Sequence, residues 1–369
     1  MEAQLRSLIA AARSGQNEAY QGILAAYGPR LYGYFFRATG SHHDAEDLLS
    51  ELMLRLVRRL ADYDDRGRFE PWLFSIAANL VRDRIRRSKV RPAAVAGRFY
   101  PRDPVELRNL INDMLAQVTP ATGRESEPLV VAGRTGGTPS LLSGPKALIA
   151  PHAGYPYSGP IAASAYAQFL PARDQIRRVV VLGPSHYVAV RGLATSSAEA
   201  FATPLGLVPV DVEAVRQARA LPQVRELDEA HEYEHSLEVQ LPFLQTILRD
   251  FALVPLAVGE ATPEEVGQVL EILWDGPETR FVISSDLSHY CDFQTARRLD
   301  AATAKAIEAL KPGGIGEERA CGRIPIRGLL QAARRHGLRA RTVDLRSSGD
   351  TAGPRDKVVG YGAFVFEPA

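Results

Sequence analysis

Three apolar runs in this chain each end in a small-residue turn that carries an imidazole. ALIAPHAGY brings His152, VVVLGPSHY brings His186, and RFVISSDLSHYC brings Asp286 and His289. If the runs are strands of an open α/β sheet, these side chains lie outside the carboxyl ends, where such sheets collect their ligands. Imidazoles converging from separate loops suit a metal of the zinc, iron or copper class. A nearby carboxylate then either ligates the metal or orients a histidine through its second ring nitrogen. One histidine after a strand is ordinarily a packed or hydrogen-bonded residue; three in the same setting point to a site. Small residues beside them, Gly154, Gly183 and Ser285 among others, permit tight turns and close approach of a ligand.

Further on, HEYEHSLEVQLPFL adds Glu234 and His235 at the start of an amphipathic helix, with Glu238 three residues beyond His235. That spacing suits proton transfer or support of the site, and equally a helix cap. The two cysteines differ. Cys321, in RACGRIPIRGLL, precedes a helix whose positive end and neighbouring arginines favour thiolate, which makes it the preferred ligand. Cys291, directly after His289 and Tyr290, reads equally as a core residue. His42, His43 and His336 lie in charged or helical surroundings and read as surface residues.

The elements that must position these groups fall into two regions. From Leu5 to about Arg87, apolar residues recur at three and four, with almost no proline and no strand-like alternation, as an all-α region would. After Pro92, short β-branched runs (RRVVVLG, ALVPLAVG, VGYGAFVF) alternate with helical stretches such as TPEEVGQVLEILW, the pattern of an α/β domain with a central sheet flanked by helices. Thr262, Pro263 and Glu264 form a good helix start. The expected division is 1–92 and 93–369, with a Gly/Pro/Ser-rich loop over 119–146.

The chain has 369 residues, of which 46% are apolar and 24% charged, a globular composition with only two cysteines and hence no disulfide scaffold. No apolar stretch approaches the roughly 20 residues of a membrane span, and MEAQLRSLIAAARSGQ lacks a signal-peptide cleavage pattern, so a cytoplasmic protein without membrane contact is expected. Net charge is +1, but residues 1–92 carry 15 Lys and Arg against 11 Asp and Glu, while the remainder carries 29 against 32. The basic excess collects near Arg82, Arg84, Arg86, Arg87, Lys89 and Arg91. Asn79, Arg82 and Arg86 share a helical face that suits a phosphate backbone.

The N-terminal region resembles region 2 of bacterial sigma factors of the extracytoplasmic-function type. The resemblance is carried by ARSGQNEAYQGILAAYGPRLYGYFFRATG, DAEDLLSELMLRLVRRL and FEPWLFSIAANLVRDRIRR, and it spans nearly all of residues 5–91. It implies that Asp44, Glu46, Asp47 and Glu51 face the RNA polymerase core. It also implies that Trp72, Asn79, Arg82, Arg86 and Arg87 approach promoter DNA, where unstacked bases rest on aromatic surfaces in an electropositive groove. Such factors continue into a helix-turn-helix domain, and no such pattern follows residue 92.

Residues 93–369 resemble the Memo family, of the AmmeMemoRadiSam system protein B type, through AGRFYPRDP, ALIAPHAGYPYSGP, VVVLGPSHY, EYEHSLEVQLPFL, VISSDLSHY, ACGRIPI and VVGYGAFVF. The resemblance implies a mixed-sheet fold related to the class III extradiol dioxygenases. It also implies a metal ligand set of His152, His186 and Cys321, with Asp286 and His289 beside it, and a radical-SAM protein as partner. A His/His/Cys set differs from the two-histidine, one-carboxylate triad of iron oxygenases. The expected chemistry is redox at iron or copper on an unknown small substrate, with His289 or His235 as acid/base, Glu234 beside them, and Asp286 orienting. The other function class compatible with these residues is a non-catalytic metal or ligand sensor that regulates transcription through the helical region.

Overall fold

The computed structural model describes residues 2–14, 16–39, 42–60, 63, 69–118 and 144–369, without the side chains of 2–6, 17 and 85–88. The loop expected over 119–146 therefore lies outside the described residues as far as 143, and so do the side chains of Arg86 and Arg87. Two compact units are present, Met1–Lys89 and Val90–Ala369.

The first unit consists of helices α1 (Glu2–Arg13), α2 (Asn17–Thr39), α3 (His42–Arg59) and α4 (Phe69–Ser88). On α3 the buried positions Ala45, Leu48, Leu52 and Leu56 recur at three and four, so one stripe faces inward, while Asp44 stands in the first turn, where its charge favours the helix dipole. That stripe packs with Phe35, Leu73, Ala77 and Leu80 into a core of its own.

In the second unit the strands are β1 (Val90–Arg91), β2 (Ala147–Ala150), β3 (Arg178–Pro184), β4 (Leu193–Thr195), β5 (Ala200–Thr203), β6 (Gly206–Pro209), β7 (Val224–Glu226), β8 (Ala252–Val258), β9 (Thr279–Ser284), β10 (His289–Cys291), β11 (Leu338–Ser347) and β12 (Val358–Pro368). Among the described residues, one mixed sheet runs β10-β12-β2-β9-β3-β8-β4-β7, with β11 also on β12. Its centre, β2-β9-β3-β8, is parallel. These strands are buried almost end to end, as strands covered on both faces must be, and their unbroken apolar runs follow from that. The antiparallel edge from β12 outward makes the sheet mixed.

Flanking helices are α5 (Pro104–Val118), α6 (Tyr155–Tyr166), α7 (Val212–Ala218), α8 (Glu229–Glu232), α9 (His235–Glu238), α10 (Leu241–Ile247), α11 (Pro263–Ile272), α12 (Phe293–Glu308) and α13 (Arg323–Arg335). Thr262 caps α11 through a capping box with Glu265, and Pro263 occupies its first turn.

The seam differs from the one expected at residue 92. Val90 and Arg91 pair in parallel with Ala200 and Phe201 of β5, so they belong to the second unit. Arg91 does not extend a basic helix end: it is 7% exposed and forms an ion pair with the fully buried Glu238.

Candidate metal centre

β2, β9 and β3 are neighbours in the sheet, and each delivers one polar side chain two residues past its last residue: His152 after Ala150, Asp286 after Ser284, His186 after Pro184. Cys321 arrives from the turn before α13 and closes the set. Ligand atoms of His152, His186 and Cys321 all lie within 4.8 Å of one another. His152 Nε2 is 3.3 Å from Cys321 Sγ, and the two imidazole centroids are 5.3 Å apart, nearly perpendicular.

Both imidazoles are held by Nδ1. His152 Nδ1 lies 2.8 Å from Ser284 Oγ. That hydroxyl donates its one proton to the Ser236 carbonyl at 2.5 Å and accepts from Gln240 Nε2 at 2.7 Å, so toward His152 it can only accept. His152 therefore carries its proton on Nδ1, and the Nε2 lone pair faces the thiol. At His186, Nδ1 is 2.9 Å from Glu234 Oε1, and the backbone N–H donates to Glu234 Oε2 at 2.6 Å. An ionised carboxylate only accepts, which sets the same tautomer and frees Nε2.

Charge at the site follows from burial. His152 is pushed down to about 3, chiefly by loss of solvent and then by His186. Burial opposes ionisation of Glu234, yet the bonds from the His186 ring and backbone and from Ser236 outweigh it and hold the carboxyl at about 2. Asp286 accepts the His152 backbone N–H at 2.8 Å, and burial raises its pKa.

The expectation that a helix end and arginines favour thiolate at Cys321 is corrected. Burial first, then the Asp286 charge, pushes that thiol up to about 12, beyond what the Asp286 N–H and the Ser285 hydroxyl recover. The donor set fits a metal on this ground: two imidazoles with Nε2 lone pairs converge on a half-buried thiol whose ionisation a cation would favour.

Two close approaches build the set. A Cβ on Gly183 would meet Ser236 Oγ at 2.6 Å, so this glycine lets the segment carrying Glu234 lie against the end of β3. A Cβ on Gly322 would meet the Ser285 side chain at 2.6 Å, so Gly322 lets the Cys321 turn press on the end of β9.

His235 stands over the site, its ring stacked 4.6 Å from His186 and perpendicular to His152 at 5.3 Å. Its Nδ1 is buried with no hydrogen-bond partner, and burial, then His152, lowers it to about 4. His289, half-buried on β10, is near enough for its charge to act on His152 and Asp286. Next to it a bulge puts Tyr290 in the left-handed region at φ 59° with the ring 74% exposed, a strained setting for an aromatic residue. Cys291 lies apart from the His/His/Cys group, its thiol toward the His289 carbonyl at 3.5 Å. Glu238, read as suited to proton transfer, is instead committed to Arg91, the Tyr100 hydroxyl and the Ala94 and Val95 N–H groups. Sequence reasoning passes over Ser284 and Gln240, because a serine closing an apolar run and a glutamine on an amphipathic helix carry no signal of their own.

In the helical unit, Asn79 and Arg82 are exposed one turn apart on α4. Trp72, two turns before Asn79, is half-buried and packs 4.5 Å from Tyr63. Glu46 and Asp47 are exposed on α3; Asp44 is bonded to Arg84, and Glu51 pairs with Arg55 at 2.7 Å.

The family model of the Memo-like protein matches residues 91–365, and that of sigma-70 region 2 matches residues 23–91. A MEMO1 family protein of Aquifex aeolicus (strain VF5) is 34% identical over 289 residues, 75% of this chain and 99% of the relative. Relatives bearing the same name in Methanosarcina mazei and Ignicoccus hospitalis are each 35% identical, over 76% and 75% of this chain and 100% and 98% of their own. Three quarters of the chain thus align with whole relatives, and the remainder holds the sigma match. The chain belongs to the Memo family and carries a sigma-70 region 2 domain ahead of its Memo domain.

Proposed function

We propose that the Memo domain is a metal-dependent oxidoreductase whose iron or copper is held by His152, His186 and Cys321. The observation that carries this reading is the pair of Nε2 lone pairs, delivered past the ends of the central strands β2 and β3, that converge with the half-buried Cys321 thiol. A soft thiolate beside two imidazoles suits copper or a redox-active iron, and such an ion supplies electron transfer to or from a bound substrate. The protein's part is orientation and proton handling. Ser284 and Glu234 hold the two rings in tautomer and direction, and Asp286 anchors the His152 backbone. His235, whose buried Nδ1 makes no hydrogen bond and lies 3.5 Å from Glu234 Oε1, accepts or returns a proton at the site, and His289 is the second group placed for that task.

The sigma-70 region 2 domain supports a second element of the proposal: contact with RNA polymerase through Glu46 and Asp47, and with promoter DNA through Trp72, Asn79 and Arg82. The test is elemental analysis of anaerobically purified protein beside a His152→Ala/His186→Ala variant, followed by oxygen-uptake and reductant-oxidation assays. Stoichiometric iron or copper that disappears in the variant supports the centre. Metal without redox turnover would transfer the assignment to a sensor, and no metal in either protein would remove it.

A further inference from the structure

Arg91 is the second residue of the second unit, and its guanidinium spends its three nitrogens on one short segment. Nε donates to the His231 carbonyl at 2.6 Å, Nη1 to the Glu238 carboxylate at 2.6 Å and Nη2 to the Glu234 carbonyl at 2.8 Å. The planar group lies over the Phe201 ring, 5.1 Å from its centroid. Segment 229–238 is two single-turn helices, α8 and α9, meeting at Tyr233 and Glu234. Helices this short close few hydrogen bonds of their own, so the backbone between them takes its direction from outside partners.

Neutralising Glu238, whose other donors are uncharged, accounts for only one of these three bonds. Its carboxylate already accepts from Ala94 N–H at 2.9 Å, Val95 N–H at 3.0 Å and the Tyr100 hydroxyl at 2.6 Å. The two bonds to carbonyls do nothing for the Glu238 charge. They fix the chain on either side of Tyr233, and the residue fixed at Glu234 is the one whose carboxylate takes both the backbone N–H and Nδ1 of His186.

We infer that Arg91 is a positioning residue for the proposed centre: its fork fixes the Glu234 backbone, and with it the aim of the Glu234 carboxylate at His186, from strand β1 next to the seam. The inference rests on the metal reading of His152, His186 and Cys321. It makes the geometry at His186 depend on how the first two residues after the helical unit are docked.

Arg91→Lys in the full chain keeps a positive charge for Glu238 and loses the fork. Two readouts apply, both well below each variant's unfolding temperature. With cobalt(II) as probe, chelator competition and the thiolate-to-cobalt absorption band report the centre; in metal-free protein, hydrogen exchange reports the His186 and Ser236 amides, both donors to Glu234. Arg91→Lys should weaken cobalt(II) binding about tenfold, the lower end for residues that orient ligands, and should speed exchange at both amides. Arg91→Lys/Glu234→Gln should bind no more weakly than Glu234→Gln alone, because the two act through one group. If Arg91→Lys does not fold, Phe201→Leu removes the ring beneath the guanidinium and should move both readouts in the same direction. A lower unfolding temperature with wild-type affinity, band and exchange would reduce Arg91 to a structural ion pair and overturn the inference. Wild-type protein that binds no cobalt(II) would sink the metal reading instead, and the exchange data would then decide whether Arg91 positions Glu234.

Discussion

Ser284 Oγ accepts from His152 Nδ1 at 2.8 Å while donating to the Ser236 carbonyl, so one hydroxyl on the last residue of β9 sets the tautomer of a histidine from β2. Strand order makes this local, since β2 and β9 are hydrogen-bonded neighbours and Ala150 lies opposite Ser284. Ser284→Ala should leave the His152 N–H, the Ser236 carbonyl and one Gln240 bond without their partner. The expected result is about 2 kcal/mol less stability, from the cost of buried unsatisfied groups, and roughly tenfold or more weaker metal retention. Urea unfolding and chelator competition measure the two; unchanged retention would mean that His152 needs no such hold.

Cys321→Ser should strip metal from the protein while Cys291→Ser retains it. Cys321 lies in the His/His/Cys group, whereas Cys291 turns its thiol to a backbone carbonyl. Metal content after dialysis decides it, and the reverse result would show that the wrong thiol had been assigned.

Acid should unfold the Memo domain partly through His231. Burial, then the Arg91 charge, lowers this histidine to about 4 from the usual 6.5. The unfolded chain takes up a proton that the folded one refuses, so this contribution is complete above pH 6.5 and is lost as pH falls toward 4. Between pH 7 and 4.5 the loss amounts to about 2 kcal/mol for a group this buried. His231→Gln should lower stability at neutral pH yet flatten the acid limb by about that amount in unfolding titrations. An unflattened limb would place the acid sensitivity elsewhere.

If the basic face of α4 holds DNA, Arg82→Ala should reduce the slope of log affinity against log salt by about one. Arg84→Ala should change it less, because Arg84 is bonded to Asp44. Filter binding or fluorescence anisotropy from low to moderate salt gives the slopes, and salt-independent binding would remove the DNA reading.

The strand ends are legible in sequence because each apolar run stops at small residues, and an apolar run buried on both faces needs no partner to be recognised. Helix α6 is harder to read. Pro156, Gly159 and Pro160 are residues that disfavour a helix, but Pro156 stands in the first turn, where its missing N–H costs nothing, and burial of the helix outweighs the cost of Pro160. The long outer strand β11 hides because, apart from its buried ends Leu338 and Ser347, its residues are exposed or half-buried, with charges throughout. Around the centre, the residues that point at the metal show themselves, as does Glu234 beside His186, while Ser284, which orients the His152 ring, does not. Ser284 meets Ser236 across 48 positions and Arg91 meets Glu238 across 147, and no local pattern registers pairings of that span.

Arg91 also bears on how the two modules can be separated. A fragment cut at the apparent boundary, starting at residue 93, would retain every residue of the proposed centre and still lose the cation of a fully buried carboxylate, Glu238. Breaking a buried pair from one side costs ~3–5 kcal/mol, a large part of what holds a domain folded. The modules are therefore not cassettes joined by a neutral hinge: the joint belongs to the downstream one, and any excision or graft has to carry Val90 and Arg91 with it.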